Sequence, residues 1–341
     1  MKTIFIVNKA SKAIGLGHMM RCKTLADYIY FSCSYNLDIL TYGDSNIKSC
    51  VYQKDESKNL GWYVQNEINF DWLDNYVGKK RPSLVVIDCG NDSQNLIRYF
   101  HSINICTLVL DYYDVIKAKP NIIINLFRGK ADAFNKLINA DNFKRYDGEK
   151  YAIIRNEFLL SREKKNIKNQ SQFVNNILVS FGGSDPSNNS LVAIKTIMNF
   201  FSGITLNVIL GPLFDMNKIK LRASDRKKNK IELFKSPENF SRLLEESDLI
   251  FCGAGTTLLE ALCVGIPAIV FPQNQEELEY AMYLAKKNIC ILSHEVNWNS
   301  IMHFGFRQNI SSAASAFIDG RGKERISYII DQQIKLLANF K

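Results

Sequence analysis

Short apolar runs alternate with amphipathic segments along most of the chain. The runs are rich in Val, Ile and Leu and are continuous, which is typical of parallel strands covered by helices on both faces. Predicted strands occupy residues 3–7, 37–43, 83–89, 106–111, 121–125, 176–183, 205–211, 231–234, 248–253, 267–272 and 289–293. Predicted helices occupy residues 18–35, 187–202, 239–246, 256–264, 276–288 and 323–338. This order of elements predicts an α/β fold.

The alternation runs through the first part of the chain and begins again after residue 170. We therefore expect two doubly wound, Rossmann-like domains, and 341 residues are enough for both. The N-terminal domain is expected over residues 1–160 and the C-terminal domain over 173–320. The polar segment 161–172 has the composition of a linker. A last helix within 321–341 can dock on either domain or cross back.

The charge and cysteine patterns narrow the possible partners. A formal net charge of +9 permits an anionic partner such as a nucleotide, a nucleic acid or a membrane surface. The densest basic runs, 162–168 and 226–230, have no interleaved aromatic residues, so they are interpreted as solvated surface rather than nucleic-acid contacts. The eight cysteines form no C-x-x-C pair, so we expect reduced, buried thiols and no zinc site.

No targeting or membrane segment is predicted. Lys9 and Lys12 interrupt the first apolar run, so it lacks the apolar core of a signal peptide. No apolar window reaches the roughly 18–20 residues that a membrane-spanning helix needs. We therefore expect a soluble cytoplasmic protein.

The first glycine motif follows the first predicted strand and reads "KASKAIGLGHMMRC". Gly15 and Gly17 let the backbone approach an anion, and the next helix directs the positive end of its dipole there. Met20 replaces the third glycine of a dinucleotide-binding fingerprint, so the motif is incomplete. His18 is followed by Arg21 one helical turn later. A histidine at a helix start is either a functional group or an ordinary cap.

The second glycine motif, "FGGSDPSNNS", also joins a strand to a helix. Gly182 and Gly183 precede the helix, and Pro186 is expected in its first turn. Ser184 or Asp185 is expected to cap it. An ordinary strand–helix connection remains an alternative interpretation of this motif.

The third motif, "SDLIFCGAGTTLLEALCVGIPAIVFP", is the most specific of the three. A strand ends in glycines, two threonines supply hydroxyl and N–H groups at a helix start, and a glutamate follows one turn along. A pyrophosphate can lie at such a helix N-terminus while the carboxylate accepts hydrogen bonds from ribose hydroxyls. The candidate nucleotide-binding residues are Gly253, Ala254, Gly255, Thr256, Thr257 and Glu260.

Together with "YAIIRNEF" at residues 151–158, these motifs resemble those of the PseG family in content and order. Members of that family are UDP-sugar hydrolases of pseudaminic acid biosynthesis, and they share the GT-B architecture of MurG-type glycosyltransferases. The resemblance implies two Rossmann-like domains facing across a cleft and a UDP-sugar substrate. It also implies attack of water at the anomeric carbon without a metal or another cofactor.

The resemblance further implies roles for individual residues. The family's catalytic histidine matches His18. UDP lies mainly on the C-terminal domain, where loop 253–257 holds the diphosphate and Glu260 the ribose. The segment Lys235-Ser236 faces uracil. The remaining substrate-binding candidates at or beside the motif positions are Gly15, Gly17, Arg21, Gly182, Gly183 and Asp185.

The chain departs from the family pattern on the side that is expected to bind the sugar. A family tyrosine after the third predicted strand is missing at Cys89-Gly90. The family's Glu-Asn-Gln element becomes "QNQEELEYA", in which Asn274 or Glu276 can take the place of the asparagine. The family's paired aspartates become the segment 111–114, Asp-Tyr-Tyr-Asp. Such changes alter which sugar is accepted, or replace water by an acceptor hydroxyl.

Three functions remain open at this point. The first is a nucleotide-sugar hydrolase in which His18 is the general base, since an imidazole suits proton transfer near neutral pH. The second is an inverting glycosyltransferase that uses His18 on an acceptor hydroxyl. The third is a nucleotide-sugar-binding protein without catalytic activity. The sugar and the oligomeric state are left open.

Overall fold

The apolar runs form two sheets of parallel strands, which confirms the expected doubly wound α/β fold. The computed structural model describes residues 2–12, 15–44, 47, 60–111, 118–127, 143–167, 171–215, 217, 219 and 228–339. The chain divides into two compact units. The first unit comprises Met1–Ile153 and Arg321–Lys341, and the second comprises Ile154–Gly320.

The strands in the described part of the chain are β1 (Thr3–Ala10), β2 (Asn36–Gly43), β3 (Leu60–Gln65), β4 (Leu84–Asp88), β5 (Cys106–Leu110), β6 (Ile122–Asn125), β7 (Lys144–Asp147), β8 (Asn176–Ser180), β9 (Thr205–Leu210), β10 (Lys230–Lys235), β11 (Leu249–Cys252), β12 (Ala268–Val270) and β13 (Ile291–Leu292). The first sheet has the order β3-β2-β1-β4-β5-β6-β7, and the second has the order β10-β9-β8-β11-β12-β13. In each sheet the strand order reverses once. The reversal lies between β1 and β4 in the first sheet and between β8 and β11 in the second.

The helices in the same ranges are α1 (Gly17–Ser32), α2 (Phe70–Lys79), α3 (Ser93–Ser102), α4 (Asn156–Ile167), α5 (Asn189–Phe200), α6 (Phe240–Glu245), α7 (Thr256–Val264), α8 (Gln275–Ala285), α9 (Trp298–Met302), α10 (Phe304–Phe317) and α11 (Gly322–Asn339). Short 3-10 turns lie at Gly90–Asp92 and Glu149–Tyr151. Of the described helices, none is both long enough and apolar enough to cross a membrane.

Helices cover both faces of the first sheet. On one face, Ile6 and Val86 pack in a cluster with Leu25 of α1 and Ile330 of α11. On the other face, a second cluster joins sheet residues such as Phe5 to α2 and α3. In the second sheet, one face is covered by α5 and α9. α7 packs against α4 and α10 in the same unit.

The sequence did not predict two strands, β3 and β7, or five helices, α2, α3, α4, α9 and α10, and the predicted linker is partly wrong. β7 has the polar sequence Lys-Arg-Tyr-Asp and forms no apolar run, and β3 is only half-buried along its whole length. The linker expected at 161–172 is wrong for its first seven residues, which belong to helix α4. These residues belong to the second unit and contact other parts of it. For example, Lys165 Nζ donates to the Glu245 and Ser247 carbonyls at 2.9 Å.

We expect Ile330→Ala to destabilise the protein by about 2–5 kcal/mol, because it empties a fully buried position between α11 and the sheet. Leu336→Ala on the same helix is the matched control, since that side chain is 42% exposed and should cost much less. The free energy of unfolding in urea measures both. Equal losses for the two variants would contradict the packing of α11 described above.

Candidate active site

His18 lies beside the end of strand β4, where the strand order of the first sheet reverses. β1 lies between β2 and β4, and Asn8 of β1 pairs in register with Asp88, the last residue of β4. Ligands of open parallel sheets bind beyond the carboxyl ends of the strands at such a point. His18 is the second residue of α1, which follows β1. The fold therefore brings a helix start and a carboxylate together at this edge.

Asp88 is the centre of a hydrogen-bonded cluster. Its Oδ1 lies 2.6 Å from His18 Nδ1. Arg21 donates from Nε to Oδ2 and from Nη2 to Oδ1, each at 2.5 Å, in the two-point geometry that suits a guanidinium and a carboxylate. Arg21 and His18 reach the same carboxylate because residues three apart lie on one face of a helix.

The contact with Asp88 determines which ring nitrogen of His18 carries the proton. An ionised carboxylate only accepts hydrogen bonds, so Nδ1–H donates to Asp88. Arg21 Nη2 lies 3.1 Å from the same Nδ1, but both groups are then donors and do not bond to each other. Nε2 of the neutral ring carries the lone pair, and the described residues provide it with no hydrogen-bond partner. The His18 side chain is 30% exposed.

Arg21 binds a second carboxylate, that of Asp111. Nη1 donates to Asp111 Oδ2 at 2.6 Å, and Asp111 Oδ1 accepts the Leu126 N–H at 2.7 Å. Burial alone would raise the pKa of Asp88, but Arg21 and His18 lower it more, and the pKa lies well below its usual range. Burial raises the pKa of Asp111 above its usual value despite Arg21. Of these two carboxylates, Asp88 therefore stays ionised to lower pH than Asp111.

The glycines of the first motif shape the turn that leads into α1. Gly15 has a φ of +78°, a conformation that favours glycine, and its N–H donates to the Ser11 carbonyl at 2.8 Å. Gly17 is the first residue of α1, and among the described residues no side chain caps this helix N-terminus. The N–H groups of the first turn are therefore not used by a cap.

Cys89 and Gly90, which stand where the family has a tyrosine, supply no hydroxyl next to Asp88. Cys89 is buried in the cluster on the other face of the sheet, and Gly90 has no side chain. Lys9 forms an ion pair with Asp92 just beyond the strand ends. Residues 112–114, which the sequence analysis considers for sugar contact, lie outside the described residues.

The predicted nucleotide loop occupies the corresponding point of the second sheet. Gly253, Ala254 and Gly255 join β11 to α7, which begins with Thr256 and Thr257. No side chain in the described ranges caps α7. The first N–H groups of a helix have no partner within it, so those of α7 are suited to an anion.

Glu277 contacts this loop, and the sequence analysis does not identify it. Its Oε2 accepts the Ala254 N–H at 3.0 Å and the Gln273 N–H at 2.9 Å, which ties the loop after β11 to the loop after β12. Burial raises the pKa of Glu277, and the two N–H donors offset only part of that rise. The sequence offers no signal for it, because Glu277 is one of several acidic residues in "QEELE".

The two alternatives for sugar contact lie at the start of α8. Asn274 caps this helix, since its Oδ1 accepts the Glu277 N–H at 2.8 Å. Glu276 is exposed in the first turn. At the end of β10, Lys235 is exposed, and Ser236 donates its N–H to the Leu210 carbonyl at 2.9 Å.

The second glycine motif is held by Asp185. Its Oδ1 accepts the Asn189 N–H and its Oδ2 accepts the Ser190 N–H, both at 2.9 Å, so it caps α5 as expected. The prediction that Pro186 lies in the first turn of this helix is wrong, because α5 begins only at Asn189. Both carboxylate oxygens turn inward, and Asp185 is buried.

Gly211, which the sequence analysis also does not identify, lies directly against the second motif. A Cβ atom there would be 2.3 Å from the carbonyl oxygens of Gly182 and Gly183, so only glycine fits. Gly182 itself has a φ of +76°. The loop after β9 therefore helps to set the backbone of the loop after β8.

Glu260 is buried and paired with Arg155 of the "YAIIRNEF" motif. Arg155 Nε donates to Oε1 at 2.8 Å and Nη2 to Oε2 at 3.2 Å. The predicted site residues thus divide between the two units, with Gly15, Gly17, His18 and Arg21 in the first and the others in the second. No group of three or more metal-ligating side chains occurs in the part of the chain that the structure describes.

Comparisons with known proteins agree with this architecture. Residues 176–300 match the glycosyltransferase family 28 C-terminal domain. The chain is 28% identical over 293 residues to the uncharacterized protein MJ1062 of Methanocaldococcus jannaschii, covering 83% of this chain but only 58% of that relative. It is 27% identical over 297 residues to the UDP-2,4-diacetamido-2,4,6-trideoxy-beta-L-altropyranose hydrolase of Campylobacter jejuni, covering 84% of this chain and 97% of the hydrolase.

Solved structures show the same fold at low sequence identity. Acinetobacter baumannii MurG superimposes with a TM-score of 0.67 and 13% identity, covering 97% of this chain and 100% of the MurG chain. The expected GT-B fold is confirmed by this likeness. Together with the family 28 match, the comparisons support a glycosyltransferase-like protein with that fold.

We expect Asp88→Asn to lower the free energy of unfolding at pH 7 by about 3–5 kcal/mol, because it removes a buried charge from Arg21 and His18. The folded pKa of Asp88 lies below its unfolded value, so its contribution is complete above about pH 4 and is lost as the pH falls further. Urea unfolding at a series of pH values should show that the free energies of unfolding of the wild-type and D88N proteins become more similar as the pH falls below about 4.

Glu232→Gln is the matched control for this prediction. Glu232 pairs with Lys230 at 2.6 Å, but their side chains are 38% and 69% exposed, so little stability should be lost. A D88N variant as stable as this control would contradict the electrostatic role of Asp88.

Proposed function

We propose that this protein hydrolyses a UDP-sugar, with water activated by His18 displacing UDP from the anomeric carbon. The observation that carries the proposal is the buried Asp88 carboxylate 2.6 Å from His18 Nδ1, which leaves Nε2 as the base. The likeness to the Campylobacter jejuni hydrolase supports a deoxy-acetamido sugar of the kind used for pseudaminic acid.

The proposed step transfers one proton and exchanges one bond. Nε2 takes a proton from water as the water oxygen forms a bond to the anomeric carbon. The bond from that carbon to the diphosphate oxygen breaks, and UDP leaves with the electron pair. Asp88 stabilises the imidazolium that results and holds the ring in position, as a carboxylate does in a catalytic triad. Arg21 keeps Asp88 in place.

The second unit is proposed to bind the nucleotide. The N–H groups at the start of α7 have no side-chain cap within the described residues, and the helix dipole places partial positive charge there. Donors fixed in this way stabilise the charge that develops on a departing diphosphate. Glu277 holds the preceding loop by its hydrogen bonds to Ala254 and Gln273.

An inverting glycosyltransferase is the second candidate, and the match to the family 28 C-terminal domain favours it. In that case Nε2 of His18 takes its proton from a hydroxyl group of an acceptor. The chemistry at the donor sugar is otherwise the same, so the two candidates differ only in the nucleophile.

A panel of UDP-sugars, including the diacetamido-trideoxy sugar, separates the candidates when the reaction is run in H₂¹⁸O without an acceptor. For the hydrolase we expect UDP release with one ¹⁸O in the free sugar and none in UDP. UDP release that requires an added acceptor would establish the transferase instead. No turnover of any donor, in protein that binds UDP, would contradict both enzymes.

We expect His18→Ala to lower the rate of UDP release by about 100-fold or more, since it removes the general base. UDP binding, measured by titration calorimetry, should be unchanged because the second unit holds the nucleotide. His294→Ala is the matched control, because that side chain is 61% exposed and lies in the second unit. An H18A variant with wild-type turnover would contradict the role of His18 as the general base.

A further inference from the structure

Arg155 and Glu260 form a buried ion pair next to the nucleotide loop. Arg155 directly precedes α4, and Glu260 lies one turn into α7 from Thr256 and Thr257. The guanidinium meets the carboxylate at two points, with Nε to Oε1 at 2.8 Å and Nη2 to Oε2 at 3.2 Å. The Glu260 side chain is only 8% exposed, and all of these residues belong to the second unit.

The Arg155 guanidinium is fixed by more than this pair. Its central carbon lies 4.5 Å from the ring centre of Phe158 and 5.8 Å from that of Phe240. Nη1 also pairs with Glu157 at 2.9 Å, but the Glu157 side chain is 44% exposed, so this ion pair contributes little to holding the guanidinium. A planar cation packed against aromatic rings has few orientations, so it holds the attached carboxylate in one.

The pair leaves Glu260 able to accept further hydrogen bonds. A carboxylate offers about four acceptor sites, and the two-point contact with Arg155 uses one on each oxygen. Burial raises the pKa of Glu260, and Arg155 opposes that rise, so the arginine helps to keep the group charged. A charged acceptor binds a hydroxyl group more strongly than a neutral one.

We propose that Arg155 is a positioning residue, which holds the Glu260 carboxylate toward the ribose hydroxyls of a bound nucleotide and so selects ribonucleotides over deoxyribonucleotides. This inference rests on the proposed nucleotide binding by the second unit. It explains why an arginine stands in the "YAIIRNEF" motif, far from α7 in sequence.

Binding of UDP, 2′-deoxy-UDP and 3′-deoxy-UDP by calorimetry tests this role. We expect the wild-type protein to prefer UDP to 2′-deoxy-UDP by about 10- to 100-fold, the range for a hydrogen bond to a charged group. Arg155→Lys should reduce that preference to about 1–3-fold while the affinity for the deoxy analogue stays unchanged. A general loss of structure would weaken all three ligands alike.

Glu157→Gln is the matched control, because Glu157 also contacts Arg155 but is 44% exposed and does not touch Glu260. It should keep the wild-type preference. If R155K does not fold, the double variant R155Q/E260Q replaces both buried charges at once, and we expect it to bind UDP and the deoxy analogues within about 3-fold of each other.

The outcomes separate this inference from the proposed function. An R155K or R155Q/E260Q protein that retains the wild-type preference overturns the role of Arg155, as does a wild-type protein without any preference. Loss of the preference in E157Q as well would also overturn it, because the preference would then not depend on the two-point contact between Arg155 and Glu260. Failure of the wild-type protein to bind UDP would instead remove the proposed nucleotide site itself.

Discussion

The first unit depends on a carboxylate, Asp88, that is held entirely away from water. Such a charge is stable only when cations and hydrogen-bond donors surround it, and here they come from residues 67 and 70 positions away. Helix α1 must therefore begin where His18 and Arg21 both face the end of β4. The turn at Gly15 and the short loop after β1 meet this requirement. The position of the imidazole thus follows from the need to compensate Asp88.

The second unit uses carboxylates in a different way, to hold its glycine loops. Asp185 accepts two N–H groups at the start of α5, and Glu277 accepts one from each of two neighbouring loops. The negative charge of Glu260 is balanced by its ion pair with Arg155. Each of these three carboxylates thus has local hydrogen-bond donors, and none of them caps the N-terminus of α7. That balance is compatible with the binding of a diphosphate.

Much of the fold could be predicted from sequence because buried parallel strands are continuous apolar runs. β3 and β7 could not, since a half-buried strand and a polar edge strand lack that signal. His18 and the glycine loops are local features of strand–helix junctions, so they could be found. The pairing of Arg155 with Glu260 could not be predicted, because these residues lie 105 positions apart and only the folded chain brings them together. Acidic composition alone does not distinguish Glu277 from its neighbours.

Helix α11 has a consequence for the order in which the chain folds. Its residues Ile326, Ile330 and Ile334 complete the core between α1 and the first sheet, yet they are synthesised after the whole second unit. The residues of the second unit, 154–320, are contiguous, so all of them leave the ribosome before α11 does. The first unit must wait for α11, with one face of its sheet partly uncovered. During that interval its apolar surface is open to aggregation, and a nascent chain stalled before residue 321 should require chaperones that a full-length chain does not.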